Sequence, residues 1–215
     1  MLLGHTDFIK LFIGLFAVTN PLGAIPIFIA LTVHTNDFER KSTAKTTAFG
    51  VFLILFTSLI LGQIILKLFG ISISSFRVGG GFLIFLMAIS MLHAKGSSVK
   101  HTPKERDEAE GMDSIAIVPL AMPLIAGPGG ISSVILAANK AVNWQDYASI
   151  TLAIILLSLL IWVILRLAPI IAKHISRTGL NIITRIMGLI LAAIAVEFIA
   201  AGLKGLFPIL QHLGQ

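Results

Sequence analysis

Not one cysteine occurs in this chain, which excludes disulfides, thiol catalysis and thiolate metal ligation, and leaves no redox signal to read. Charge is the next scarcity. Asp, Glu, Lys and Arg make up 12% of the residues, where a soluble domain carries about a quarter. Aromatic side chains with a polar edge are few, one Tyr and two Trp, and no basic run is interleaved with aromatics. The net charge of +6 therefore gives no reason to expect nucleic acid as a partner. The six histidines lie in or near loops without the i, i+4 spacing of a metal pair, so no metal site is expected. A phosphate loop, a nucleophile elbow and an H-E-x-x-H helix are all missing, and no cofactor is expected either. The segment "MLLGHTDFIK" has no basic n-region and no A-x-A-like cleavage site, and reads as the start of the mature protein.

What the chain has is apolar residues, 56% of the total, in long runs. This is the composition of an integral membrane protein. About 20 apolar residues cross a hydrocarbon layer roughly 30 Å thick. The intervals Lys10–His34, Lys45–Lys67, Arg77–His93, Asp113–Lys140, Asp146–Arg166 and Arg185–Lys204 predict six spans. The third is short unless it begins near Ser72. Lys and Arg are concentrated in the first, third and fifth loops: Arg40, Lys41 and Lys45, then Lys95, Lys100, Lys104 and Arg106, then Arg166, Lys173, Arg177 and Arg185. The other side holds only Lys10, Lys67, Arg77, Lys140 and Lys204. The positive-inside rule then puts both termini outside, which is the periplasm if the membrane is a bacterial inner one.

The polar stretch 94–113 divides one transmembrane domain into residues 1–93 and 114–215. "PLGAIP" (Pro21–Pro26) lies over "PLIAGP" (Pro123–Pro128), and "FRVGGGFLIFLMAI" lies over "TRIMGLILAAIAVE", with Arg77 on Arg185 and Gly80 on Gly188. Each half has three spans, so the second copy enters the membrane from the opposite side. The expected fold is all-α: six transmembrane helices in two inverted three-helix repeats, with the first and fourth helices broken.

The breaks carry the functional expectation. Proline removes a backbone hydrogen bond, and a freed carbonyl in lipid costs several kcal/mol unless protein or a wet cavity receives it. Half-helix ends that meet at a break offer N–H groups at one end and carbonyls at the other. A zwitterion needs both. Gly23, Gly127, Gly129 and Gly130 let a ligand approach the backbone, and Asn20 adds an amide. Glu197 is an acid inside an apolar span and a candidate proton carrier; Arg77 and Arg185 are candidate gating charges or interfacial anchors. The Gly79–Gly81 run and the small residues of the last span suit close helix packing.

"NPLGAIPIF", "AIVPLAMPLIAGPGGIS" and "RIMGLILAAIAVEFI" resemble the MarC family of bacterial inner-membrane proteins over essentially the whole chain. That family is similar to the LysE superfamily of exporters. The resemblance implies export of small neutral amino acids such as glycine, alanine or threonine. By motif it carries binding roles to Asn20, Pro21, Gly23 and Pro26, and to Pro123, Gly127, Pro128 and Gly129. The second copy departs from the first, with Met122 where Asn20 stood. The reading is a non-enzymatic secondary transporter working by alternating access, with protons as a candidate coupling ion and a homo-oligomer left open. The rivals are a membrane scaffold or stress-related protein without transport activity and an intramembrane enzyme. The enzyme would want paired acids, Ser with Lys, or His ligands within the spans.

Overall fold

The computed structural model describes residues 5–33, 35–93, 125–174, 177–207 and 209. Among them every regular element is a helix: α1 (His5–Thr19), α2 (Ile25–Leu31), α3 (Asp37–Leu68), α4 (Ile73–Leu92), α5 (Pro128–Lys140), α6 (Trp144–His174) and α7 (Arg177–Leu206). Four of these, α3, α4, α6 and α7, are long and apolar enough to cross a membrane. The first expected span is divided between α1 and α2. Of the fourth, only the part from Ile125 onward is described; the 94–113 linker, Met122 and Pro123 lie outside the described residues.

Local chemistry fixes the ends. Asn36 caps α3 in a capping box: its side chain accepts from the Glu39 N–H at 2.9 Å, and Glu39 accepts from the Asn36 N–H at 3.0 Å. At the other end Gly70, at φ +66°, closes a Schellman turn in which Ile71 N–H donates to Leu66 O and Gly70 N–H to Lys67 O. Ser72 caps α4, which gives the third span its full length from Ile73. Arg166 and Arg185, expected in a loop, lie instead within α6 and α7. A charge marks where a helix leaves hydrocarbon, and its hydrogen-bond ladder continues into the headgroup zone.

The main core joins α1, α2, α3, α5 and α6 around Leu15, Phe28, Leu55, Ile154 and Leu157. A smaller cluster (Val18, Ile84, Ala88, Leu191, Ala195) ties α1 to the α4–α7 pair. Many large apolar side chains point outward, among them Ile64, Phe82, Leu86 and Leu189. On a soluble protein they would form sticky patches. Here they are the lipid-facing surface.

The α4–α7 pair is antiparallel and packs through glycine. A Cβ on Gly81 would meet the Ala195 carbonyl, Phe198 Cβ and Ile199 Cγ1; a Cβ on Gly188 would meet the Ala88 carbonyl, Met91 Cβ and Leu92 Cγ. The two sets are reciprocal, residue for residue, when Gly81 is matched to Gly188. The same sequence interval separates Asn36 from Asn143, the residue before α6, and Glu39 from Asp146. Asp146, like Glu39, reaches back to the N–H of that asparagine, at 3.2 Å. It also separates the first residues of α3 and α6. That shared interval pairs Gly81 with Gly188 and would set Pro21 against Pro128, where the sequence reading set Gly80 against Gly188 and Pro21 against Pro123. Apolar runs align almost equally well one residue out, whereas caps and glycine contacts admit one register.

A stability prediction follows from this packing. On propensity alone, Gly→Ala in a helix gains about 1 kcal/mol. At Gly202 the new methyl would sit 2.8 Å from the Ser74 carbonyl and 3.0 Å from the Val78 nitrogen, neither of which can rotate away. Gly202→Ala is therefore expected to destabilise by about 1–3 kcal/mol, read as a lower midpoint of thermal unfolding in detergent. Gly79→Ala, with nothing within 4 Å, is expected to hold or raise the midpoint.

Candidate functional site

The first break opens where α1 runs out of residues able to continue it. Asn20 N–H still donates to Phe16 O at 3.0 Å, but Asn20 itself turns to φ +40°, a left-handed conformation that asparagine tolerates better than most residues. Its side-chain oxygen accepts from the Gly23 N–H at 3.2 Å, and its amide lies over Gly23, leaving no room there for a Cβ. The amide nitrogen also reaches Met91 Sδ on α4 at 3.7 Å. Pro21 is buried, and Pro26 is exposed in the first turn of α2. The carbonyl of Leu22, four residues before Pro26 and so without the helical N–H that Pro26 lacks, accepts from the Ile25 N–H at 3.2 Å. A tight turn repairs what the proline removes.

The second break ends at Gly127, which precedes α5, with Pro128 as the first helical residue. Pro128 needs no N–H there and is already set to helical φ. The two breaks touch. A Cβ on Gly129 would lie 2.6 Å from Val18 Cγ1 and 2.9 Å from Ile84 Cγ1, and one on Gly130 would lie 3.5 Å from Thr19 Cγ2 and Leu55 Cδ2. Val18 and Thr19 are the last residues of α1 before Asn20, so the start of α5 is seated directly on the end of α1.

Above this junction α1, α4, α5 and α7 enclose a cavity of about 1240 Å³. Its wall is mainly apolar. Val18 and Leu15 lie at the junction end, Ser133 stands one turn along α5 from Gly129, and Asp7, Lys10, Arg77, Lys140 and Glu197 supply the charges. None of these five charged groups makes a salt bridge with another described residue. The volume exceeds the roughly 300–1,000 Å³ of typical ligand pockets, so this is a vestibule rather than a fitted site.

Of the residues singled out from the sequence, Arg77 and Glu197 line the vestibule. Asn20, Pro21, Gly23, Pro26, Gly127, Pro128 and Gly129 do not; they form or flank the junction beyond its inner end. Arg185 is exposed on α7, away from the cavity. Sequence reasoning missed Lys10, Lys140, Asp7 and Ser133. The signal was available for the two lysines, each of which ends the apolar run that contains one of the breaks.

A family of integral membrane proteins, MarC, matches residues 5–207, which takes in both breaks, the vestibule and the glycine-packed pair. The chain belongs to the MarC family. Among MarC-like relatives, the "UPF0056 membrane protein YhcE" of Escherichia coli (strain K12) is 45% identical over 201 residues, covering 94% of each chain. The "UPF0056 membrane protein YvbG" of Bacillus subtilis (strain 168) is 41% identical over 94% of this chain and 96% of its own. A UPF0056 membrane protein of Buchnera aphidicola subsp. Schizaphis graminum is 44% identical over 95% of each. No solved structure matches the chain. The likeness to MarC proteins thus extends over nearly the full length, and it carries membrane character without naming a substrate.

Proposed function

We propose that the protein is a secondary transporter of small neutral amino acids, built from two inverted three-helix repeats and working by alternating access. The supporting observation is the vestibule, which runs from charged groups at one membrane face to the place where two proline-broken segments meet. The reciprocal α4–α7 contacts, the paired caps of α3 and α6, and the antiparallel course of equivalent helices support the repeat reading. In this reading the chain ends face the periplasm of a bacterial inner membrane, the vestibule is the outward opening, and the junction closes the inner side. Lys10, Lys140 and Arg77 attract the carboxylate of an incoming amino acid, and Asp7 and Glu197 attract its ammonium. The uncharged side chain meets apolar wall. Glu197, on the vestibule wall, is the group proposed to carry a proton, and catalysis is no part of the reading.

The test is flux of labelled alanine and glycine in proteoliposomes, in both directions, with and without a pH gradient. Saturable flux above protein-free liposomes is the expected result. No flux under any of these conditions would remove the transport reading. In the same assay Glu197→Gln is expected to lose any stimulation by the gradient while retaining exchange of substrate. A mutant that still responds to the gradient like wild type would free Glu197 from that role.

A further inference from the structure

On the far side of the main core from the vestibule, α3 and α6 leave a groove of about 460 Å³. Its sides are Phe49 and Phe52 on α3 and Ile155, Leu159 and Trp162 on α6, with Lys45 at one end. Phe52 stacks on Phe56 at 5.5 Å, which extends the aromatic stripe along α3. Arg166 lies over the Trp162 ring, 5.3 Å from its centre. Lys45 and Arg166 thus stand at the same end of an otherwise apolar furrow, and Lys41 is one turn further out on the Lys45 stripe. Neither Lys45 nor Arg166 has an acidic partner among the described residues. Arg40, by contrast, is engaged by Asp37 and by the Thr35 carbonyl.

One polar group in the wall is unsatisfied. Helical hydroxyls in this protein typically return to the carbonyl one turn back: Ser58 to Ile54, Ser133 to Gly129, Thr151 to Tyr147. The hydroxyl of Ser158 does not. Its residue is 7% exposed, it lines the groove, and it has no hydrogen-bond partner. A buried hydroxyl without a partner is costly; among the described residues Thr47 shares this condition, and Ser158 is the one that lines the groove.

We propose that this groove is a binding site for an anionic diacyl phospholipid. Lys45 and Arg166 hold the phosphate, Trp162 and the phenylalanines line the upper acyl chain, and a glycerol ester oxygen entering behind the phosphate accepts from Ser158. Two cations at one end select the charge of the headgroup, and the apolar furrow selects the tail. A soluble anion lacks the chain, and a neutral lipid lacks the charge. Association of a phospholipid here pins α3 to α6, which are otherwise joined along their buried faces.

The chain has two tryptophans, and Trp144 is exposed at the opposite end of α6, so Trp144→Phe leaves Trp162 as a single reporter. This variant is placed in phosphatidylcholine bilayers containing increasing fractions of phosphatidylglycerol or phosphatidylcholine brominated near the carbonyl end of the chain. Bromine quenches tryptophan on contact. The expected result is half-maximal quenching at a several-fold lower mole fraction of the brominated phosphatidylglycerol. In the Lys45→Gln/Arg166→Gln double variant the two curves should coincide. Both substituted residues are exposed, and quenching by brominated phosphatidylcholine checks that the variant still sits in lipid. Coincident curves in the Trp144→Phe protein would overturn the proposal. So would an absence of quenching by either lipid, which would mean that something other than lipid covers the groove.

Discussion

On the proposed transport reading, Gly129→Leu is expected to bring amino-acid flux down to the level of protein-free liposomes while the chain still inserts into the membrane. The reason is local. A Cβ alone at this position meets Val18 Cγ1 and Ile84 Cγ1 at distances no real Cβ tolerates, and both neighbours are fully packed. Overpacking of this kind costs about 1–3 kcal/mol when the surroundings can shift. Here any shift moves α5 off the end of α1, at the junction between the vestibule and the far side. Gly130→Ala is the matched control. Its methyl would rest at 3.5 Å from Thr19 and Leu55, ordinary contact distances, so flux should persist. If both variants transport alike, the junction is not part of the path. If Gly129→Leu is absent from the membrane, Gly129→Ala supplies the milder test and should show reduced flux.

The second large effect is expected at Asn20. Valine there is β-branched and must hold φ +40°, a conformation that costs of order 1–3 kcal/mol. It also loses the bond accepted from Gly23 N–H, worth about 1 kcal/mol. A combined loss of roughly 3 kcal/mol should lower the unfolding midpoint in detergent by on the order of 5–10 °C. Asn20→Gly separates the two causes. Glycine accepts the backbone conformation freely, so only the side-chain bonds to Gly23 and Met91 are lost, and the drop should be much smaller. Equal drops for valine and glycine would show that the strained turn contributes nothing.

Membrane character and the locations of the breaks could be read from residues alone, because proline and charge act locally. "NPLGAIPIF" announces a broken helix whatever packs against it, and Ser72 announces where α4 begins. The repair of the break could not be read. The Leu22 carbonyl is satisfied by Ile25 through a turn whose shape depends on Asn20 sitting over Gly23. The interval shared by the caps and the glycine contacts was not legible, since an apolar run offers few landmarks. The polar ends, Asn36 with Glu39 and Asn143 with Asp146, are sharper landmarks than the apolar motifs. The vestibule escaped for a different reason. Lys10, Ser133 and Glu197 meet only because three helices far apart in sequence surround one space, and no spacing rule links them.

Under the proposed alternating access, the interval that relates Gly81 to Gly188 also decides what the opposite state would hold. If the halves trade shapes during a transport cycle, each wall residue hands its place to the residue at the equivalent position in the other half. Ser133 would be replaced by Pro26, Glu197 by Ser90, Arg77 by Thr184 and Lys140 by Val33. The chamber bared on the other face would therefore carry almost none of the charge of the first. A dipolar solute would be gripped on one side and let go on the other, so apparent affinity measured from the two faces of the bilayer should differ even where no ion drives the cycle.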